Sequence, residues 1–347
     1  MPDIKSISRF LREYDGEPVT LMEVCGTHTA AISENGIPDI LSDKIRLVSG
    51  PGCPVCVTVA AYIDKLVSLS GQKDTCVVTF GDMMRVRGTR YSLSEAAAEG
   101  GNTLMVYSPL DMIEHAINNP GTDYVFAAVG FETTTPLYGL LLDEVIKRNI
   151  NNIKILTALK TMPEAIRKVS RLGGAIDGFI APGHVSVITG SDEYARLADE
   201  LSLPFAVAGF TGPELLAAIY SLVKTKGRGV VKNLYPSAVT AEGNVKARET
   251  TNKYFRSCAA AWRGLGVIEN SGMVLRDEYK QYDAGSEELV EDAMFNKGCS
   301  CGEVVVGIKS PTQCPLYGKV CTPASPQGAC MVSTEGSCYN YYVNKRK

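Results

Sequence analysis

Eight short runs of β-branched and apolar residues, each closed by a Gly- or Pro-rich turn and followed by helical periodicity, constrain this chain more than any other feature. Strand and helix in alternation are the pattern of parallel βα units, whose sheets are covered on both faces. The runs form two sets of four. The first is Val19–Val24, Ile45–Val48, Cys76–Phe80 and Leu104–Tyr107; the second is Tyr124–Phe131, Ile153–Leu156, Ile176–Ala181 and Phe205–Ala208. Asn118-Asn119-Pro120-Gly121 separates them with a strong breaker cluster. The expected α/β fold therefore has two similar parallel-sheet lobes, residues 1–119 and 120–228. A third region, 229–347, is expected to hold a helix over Gly243–Trp262 and an irregular Gly-, Pro- and Cys-rich segment from Lys297 to Tyr342.

The 347 residues carry 35 Lys and Arg against 38 Asp and Glu, a net charge of −3. That balance lacks the electrostatic footprint of a protein that neutralises many phosphates, so nucleic acid is not an expected partner. The amino-terminal MPDIKSISRFLREYDGEPVT has neither the apolar core nor the cleavage site of a secretory signal, and the apolar runs are too short to cross a bilayer. The expectation is a cytoplasmic protein without membrane partners. Six of the eleven cysteines fall in the last 49 residues. In a reducing compartment such density points to metal ligation or thiol redox chemistry rather than structural disulfides.

Within that block, Cys299, Cys314, Cys321 and Cys338 stand in the spacing C-x14-C-x6-C-x16-C, with Cys301 and Cys330 interleaved. Four thiolates complete a cubane iron–sulfur cluster or a tetrahedral zinc site, and spacing alone leaves open which four of the six bind. Zinc usually takes tight knuckles, and the one close pair here is Cys299-Ser300-Cys301, so spacing favours the cluster. In Ser49-Gly50-Pro51-Gly52-Cys53-Pro54-Val55-Cys56, a C-x-x-C pair follows a strand and precedes the amphipathic Thr58–Leu69. This places two sulfurs within bonding reach at a helix start, which suits reversible dithiol chemistry, with metal capture or a plain turn as alternatives. Cys25 and His28 lie in Glu23-Val24-Cys25-Gly26-Thr27-His28, also at a strand end, where open α/β sheets put their sites. They read as a metal-ligand pair, as a thiol with its base, or as a small buried thiol beside a satisfied histidine.

Gly130-Phe131-Glu132-Thr133-Thr134-Thr135-Pro136 ends the most apolar run with a carboxylate and hydroxyls, and Glu132 reads either as a helix-start carboxylate or as an acid/base group. His184 in Ala181-Pro182-Gly183-His184 and Asp82 in Thr79-Phe80-Gly81-Asp82 occupy similar strand ends. His115 reads as a surface residue, and Cys76 and Cys258 as core thiols. No phosphate-cradling glycine loop follows a strand in the G-x-x-x-x-G-K-[ST] or G-x-G-x-x-G form.

CGTHT at Cys25–Thr29, SGPGCPVC at Ser49–Cys56, TFGDMMRV at Thr79–Val86, YSPLD at Tyr107–Asp111, GFETTTP at Gly130–Pro136, PGHVS at Pro182–Ser186 and the terminal cysteine block together resemble the HypD family of [NiFe]-hydrogenase maturation factors. The likeness runs from about Arg9 to Tyr342. It implies two α/β lobes around a cleft and a third region with a [4Fe-4S] cluster. It further implies a scaffold that joins a small HypC-type chaperone to assemble the Fe(CN)2CO group, with cyanide coming from a HypE-type donor. By this resemblance, Cys25 holds the transient iron, Cys53 and Cys56 form the exchangeable dithiol, and Cys299, Cys314, Cys321 and Cys338 ligate the cluster. Cys301 and Cys330 form a thiol pair near it, while Glu132, Thr133, Thr134, His28 and His184 line the cleft. Two positions depart from the family pattern: Ala30 stands where a second histidine is usual, and Arg87 stands in Met84-Arg85-Val86-Arg87-Gly88 where relatives often read MRVPG. Two rivals from other classes are a stand-alone, cluster-driven thiol–disulfide oxidoreductase and a zinc-stabilised binding protein.

Overall fold

The computed structural model describes residues 2–172, 176–286 and 298–344; Lys297, the first residue of the irregular segment, and the 287–297 part of the third region lie outside them. All eight expected runs form strands, and three more join them. In chain order they are β1 Val19–Glu23, β2 Ile45–Ser49, β3 Thr75–Thr79, β4 Thr103–Met105, β5 Asp123–Gly130, β6 Ile153–Lys160, β7 Gly178–Ala181, β8 Phe205–Val207, β9 Val231–Asn233, β10 Phe255–Trp262 and β11 Gly266–Leu275. Every residue of β3, β7 and β8 is buried, as central strands covered on both faces require. The edge strands β2, β4 and β9 are only partly covered.

The strands do not sort by chain order. One sheet runs β2-β1-β7-β8-β9 and is parallel throughout; the other runs β10-β11-β6-β5-β3-β4, parallel from β6 to β4 with β11 and β10 antiparallel. The grouping of four strands into each sheet by chain half is corrected by this pairing. The physical reason is local: Asn118–Gly121 only turns the chain from the helix Met112–Asn118 into β5, which then pairs directly with β3, Cys76 opposite Tyr124. A helix over Gly243–Trp262 is also corrected. The helix Val245–Tyr254, capped by Asn244 accepting from the Ala247 N–H at 3.0 Å, ends at β10, whose alternating burial and pairing with β11 override alanine's helical preference. Cys258 on β10 is accordingly half-buried rather than a core thiol, whereas Cys76 is buried and His115 exposed as expected.

This topology sets where a site belongs. From β1 the chain leaves to β2 on one side, and from β7 to β8 and β9 on the other, so the crevice of the five-stranded sheet lies between the carboxyl ends of β1 and β7. The six-stranded sheet reverses in the same way between β3 and β5. One buried cluster joins both sheets to the carboxy-terminal block: Met22 and Val24 at the end of β1, Cys53 and Cys56, Phe131, Trp262, and the thiols of Cys299, Cys301 and Cys330. Among the described residues no helix is long and apolar enough to cross a membrane.

Candidate functional site

Cys25 stands at the β1 side of the first crevice, in extended conformation, as the N-cap of the helix Gly26–Glu34. Its N–H donates to Glu23 Oε2 at 3.0 Å, and the Thr29 hydroxyl donates to Glu23 Oε1 at 2.5 Å, so one buried carboxylate braces both ends of the first helical turn. Burial pushes Glu23 up to about 7 against the hydrogen bonds from Thr29, Cys25 and Ser49. Burial also pushes the Cys25 thiol up to about 12; the His28 and Thr27 amides oppose this, and the carboxylates of Glu23 and Glu335 add to it. Such a sulfur keeps its proton until a cation displaces it. Glu23 and Thr29 also line a cavity of about 550 Å³ with Ser49, Tyr317 and Asn344.

The dithiol loop is packed on Cys25 backbone to backbone. The Gly26 N–H donates to Gly52 O at 2.9 Å, and the Gly50 N–H to Glu23 O at 2.7 Å. A Cβ on Gly52 would stand 2.2 Å from the Cys25 nitrogen, so only glycine allows this approach. Immediately beyond, Cys53 caps the four-residue helix Pro54–Val57 and is disulfide-bonded to Cys56, with Cα atoms 5.2 Å apart. The C-x-x-C reading of two sulfurs within bonding reach is what the structure has.

His28 is fully buried, with Nε2 3.2 and 3.0 Å from the carbonyl oxygens of Ala208 and Gly209 beyond β8. Two carbonyls at one nitrogen assign the proton to Nε2, and Nδ1 has no hydrogen-bond partner among the described residues. Burial pushes the ring down to about 4, so it is neutral at pH 7. His28 thus ties its helix to β8 across the crevice. Its ring and that of the exposed His184 both pack on Phe210, at 4.8 and 4.2 Å between centroids.

Glu132, Thr133 and Thr134 belong to the second crevice, and no hydrogen bond among the described residues joins them to Cys25. Glu132 Oε1 accepts the Met162 N–H at 2.8 Å, so this carboxylate serves a helix start, that of Met162–Ser170 rather than of its own helix. Its Oε2 is covered and has no partner among the described residues, and burial pushes the group up to about 7. The neighbouring Phe131 stacks on Trp262, 5.9 Å between centroids.

The carboxy-terminal block has the short helices Cys301–Val305, Ala329–Val332 and Ser337–Val343, and all six of its thiols are buried. The first two helices pack on Pro54–Val57, and the third on Gly26–Glu34. Cys330 and Cys338 have their sulfurs 3.0 Å apart. Hydrogen bonds with Cys299 and Cys330 hold Cys301 below its ordinary value, and Arg263 adds to this. Cys301 thus interacts with both Cys299 and Cys330, and Cys330 with both Cys301 and Cys338, so the interleaved thiols are joined to two of the expected ligands as much as to each other. Among the described residues no three His, Cys, Asp or Glu side chains close on a single metal ion. The donor set is nevertheless right in kind for a cluster: soft, buried, more than four strong, and in the case of Cys299 approached by Gly328, where a Cβ would lie 2.7 Å from its sulfur.

Sequence reading missed Glu335 as a site residue. It stands between Cys330 and Cys338, accepts from the Thr27 hydroxyl at 3.0 Å, and fills the space a Cβ on Gly26 would need. It also shares a small cavity with Cys53 and Cys56. One of just two carboxylates in the Gly- and Cys-rich segment Lys297–Tyr342, the other being Glu303, it offers that scarcity as the available signal. The bracing role of Glu23 was missed as well.

The family model described as "HypD: Hydrogenase formation hypA family" matches residues 3–345. The hydrogenase maturation factor HypD of Azotobacter vinelandii is 40% identical over 339 residues, covering 94% of this chain and 89% of its own length. A putative hydrogenase expression/formation protein of Methanocaldococcus jannaschii is 39% identical over 347 residues, 99% of this chain and 96% of its own. The HypD of Cupriavidus necator is 38% identical over 340 residues, 94% and 90% of the two chains. With its motifs placed at the strand ends of the two crevices and a match over nearly its full length, this chain belongs to the HypD family of hydrogenase formation proteins.

Proposed function

We propose that this chain acts in hydrogenase maturation as the scaffold on which the Fe(CN)2CO group is assembled, together with a HypC-type chaperone and a HypE-type cyanide donor. The observation that carries the reading is the backbone contact between Cys25 and Gly52, which sets the loop of a lone thiol against the loop of a disulfide-forming pair. Iron is the cargo. Cyanide and carbon monoxide are strong-field ligands that need an electron-rich low-spin iron, and a soft thiolate from Cys25, with one from the chaperone, is a suitable anchor. Iron binding displaces the Cys25 proton, which the buried thiol otherwise keeps. Opening of Cys53–Cys56 takes up two electrons and two protons and leaves two thiols beside the cargo.

Cys299, Cys314, Cys321 and Cys338 would hold a [4Fe-4S] cluster, with Cys301 and Cys330 as the adjoining thiol pair, and such a cluster supplies electrons one at a time. His28 clamps the Cys25 helix to β8, and Glu335 ties the thiol block to the same helix, so the crevice keeps its shape as partners dock and water is excluded.

The formed disulfide also suits a stand-alone thiol–disulfide oxidoreductase, but that reading gives Cys25 no role. Anaerobic purification with the chaperone, metal analysis and infrared spectroscopy separate the two. The scaffold reading expects iron beyond the cluster's and bands from bound cyanide and carbonyl; a complex with cluster iron alone and no such bands supports the oxidoreductase.

A further inference from the structure

The turn between β10 and β11 carries a buried guanidinium that the proposed function does not use. Arg263 is 4% exposed. Its Nε and one terminal nitrogen donate to Thr58 O at 3.1 and 2.7 Å, and its N–H donates to Val57 O at 2.9 Å, so it grips the end of the dithiol helix. Among the described residues no carboxylate lies within ion-pairing distance of it. A buried charge satisfied only by carbonyl dipoles is costly unless an anion stands near.

The structure places one kind of anion-forming group there. The next residue, Gly264, has φ +80°, and its absent Cβ would stand 2.2 Å from Gly302 O, so the turn lies directly on the backbone between Cys301 and Glu303. Arg263 shares a small cavity with Cys299, Cys301 and Gly328, and a second guanidinium, Arg87, lines the same cavity. Arg87 is the residue that departs from the family's MRVPG, and its charge is partly met by Glu95, 2.7 Å away.

We propose that Arg263, seconded by Arg87, is a positioning and tuning residue that supplies the countercharge for the anionic iron–sulfur group held by the block's thiolates. The inference rests on the cluster reading above. Reduction adds one negative charge, so a fixed guanidinium stabilises the reduced state and raises the potential. Arg87 acts in the same direction and more weakly, because Glu95 already offsets it.

The test is a redox titration of the anaerobically reconstituted full chain, followed by its visible absorption and by electron paramagnetic resonance, with iron and sulfide assayed. Arg263→Gln is expected to make the reduced state about tenfold harder to reach, a move of about 59 mV to more negative potential for one electron. Arg263→Lys, which keeps the charge, is expected to restore most of it. Arg87→Gln is expected to give a smaller move of the same sign. Coincident potentials in wild type and Arg263→Gln, both loaded, would overturn the inference and leave the cluster reading intact. A wild-type chain that takes up no iron and sulfide would overturn both. If Arg263→Gln does not retain the cluster, Arg87→Gln carries the test: a negative move supports the inference and an unchanged potential overturns it.

Discussion

The strand-end loops and the carboxy-terminal block both place buried thiols, but by different means. Around Cys25 and Cys53 the backbone does the placing: two parallel neighbours, β1 and β2, deliver their loops side by side, and Gly52 lets them touch. Around Cys299–Cys338 the described residues form three α-helices of at most seven residues, one 3-10 turn at Pro311–Gln313 and no strand, so packing of its own apolar groups contributes less. A site at the end of a sheet has its geometry before any ligand arrives. A site made of loop thiols takes much of its order from what it binds.

The sharpest way to break this contrast is iron removal. Chelation is expected to make the chain between Cys299 and Cys338 roughly tenfold more susceptible to proteolysis while the sheets keep their circular dichroism; equal protection with and without iron would erase the distinction. Next comes Gly52→Ala, which drives a Cβ into the Cys25 backbone and is expected to cost about 3 kcal/mol in urea unfolding. Gly121→Ala, with nothing among the described residues within 4 Å, is the control and should change stability by less than about 0.5 kcal/mol.

A smaller effect comes from the second crevice and depends on pH. Glu132 is held at about 7 when folded and has an ordinary value of 4.5. Between those values the folded chain binds the extra proton, so the group's contribution is fully present below 4.5 and is lost as pH rises through 7. That loss amounts to roughly 3 kcal/mol at most. Unfolding of Glu132→Gln against wild type at pH 5 and pH 8 should show the variant gaining relative stability at the higher pH.

The sequence made the strands legible because their apolar runs are local, and it made Cys25, Cys53 and the terminal thiols legible because their spacing is local too. Pairing was not legible: β7 joins β1 across more than 150 residues, and no short-range pattern encodes that choice. Phe255–Trp262 reads as helix in the sequence because its alanines carry no strand preference until β11 supplies a partner. Glu335 and Arg263 are not legible because each acquires its role only by contact with a distant loop, at Thr27 in one case and Thr58 in the other.

The most direct measurement concerns the sulfur at position 25. In the anaerobic complex with the small chaperone, Cys25→Ala should abolish the infrared bands of bound cyanide and carbonyl while the iron and sulfide of the block stay at wild-type levels. Persistence of those bands in the variant would mean that the cargo iron is anchored elsewhere.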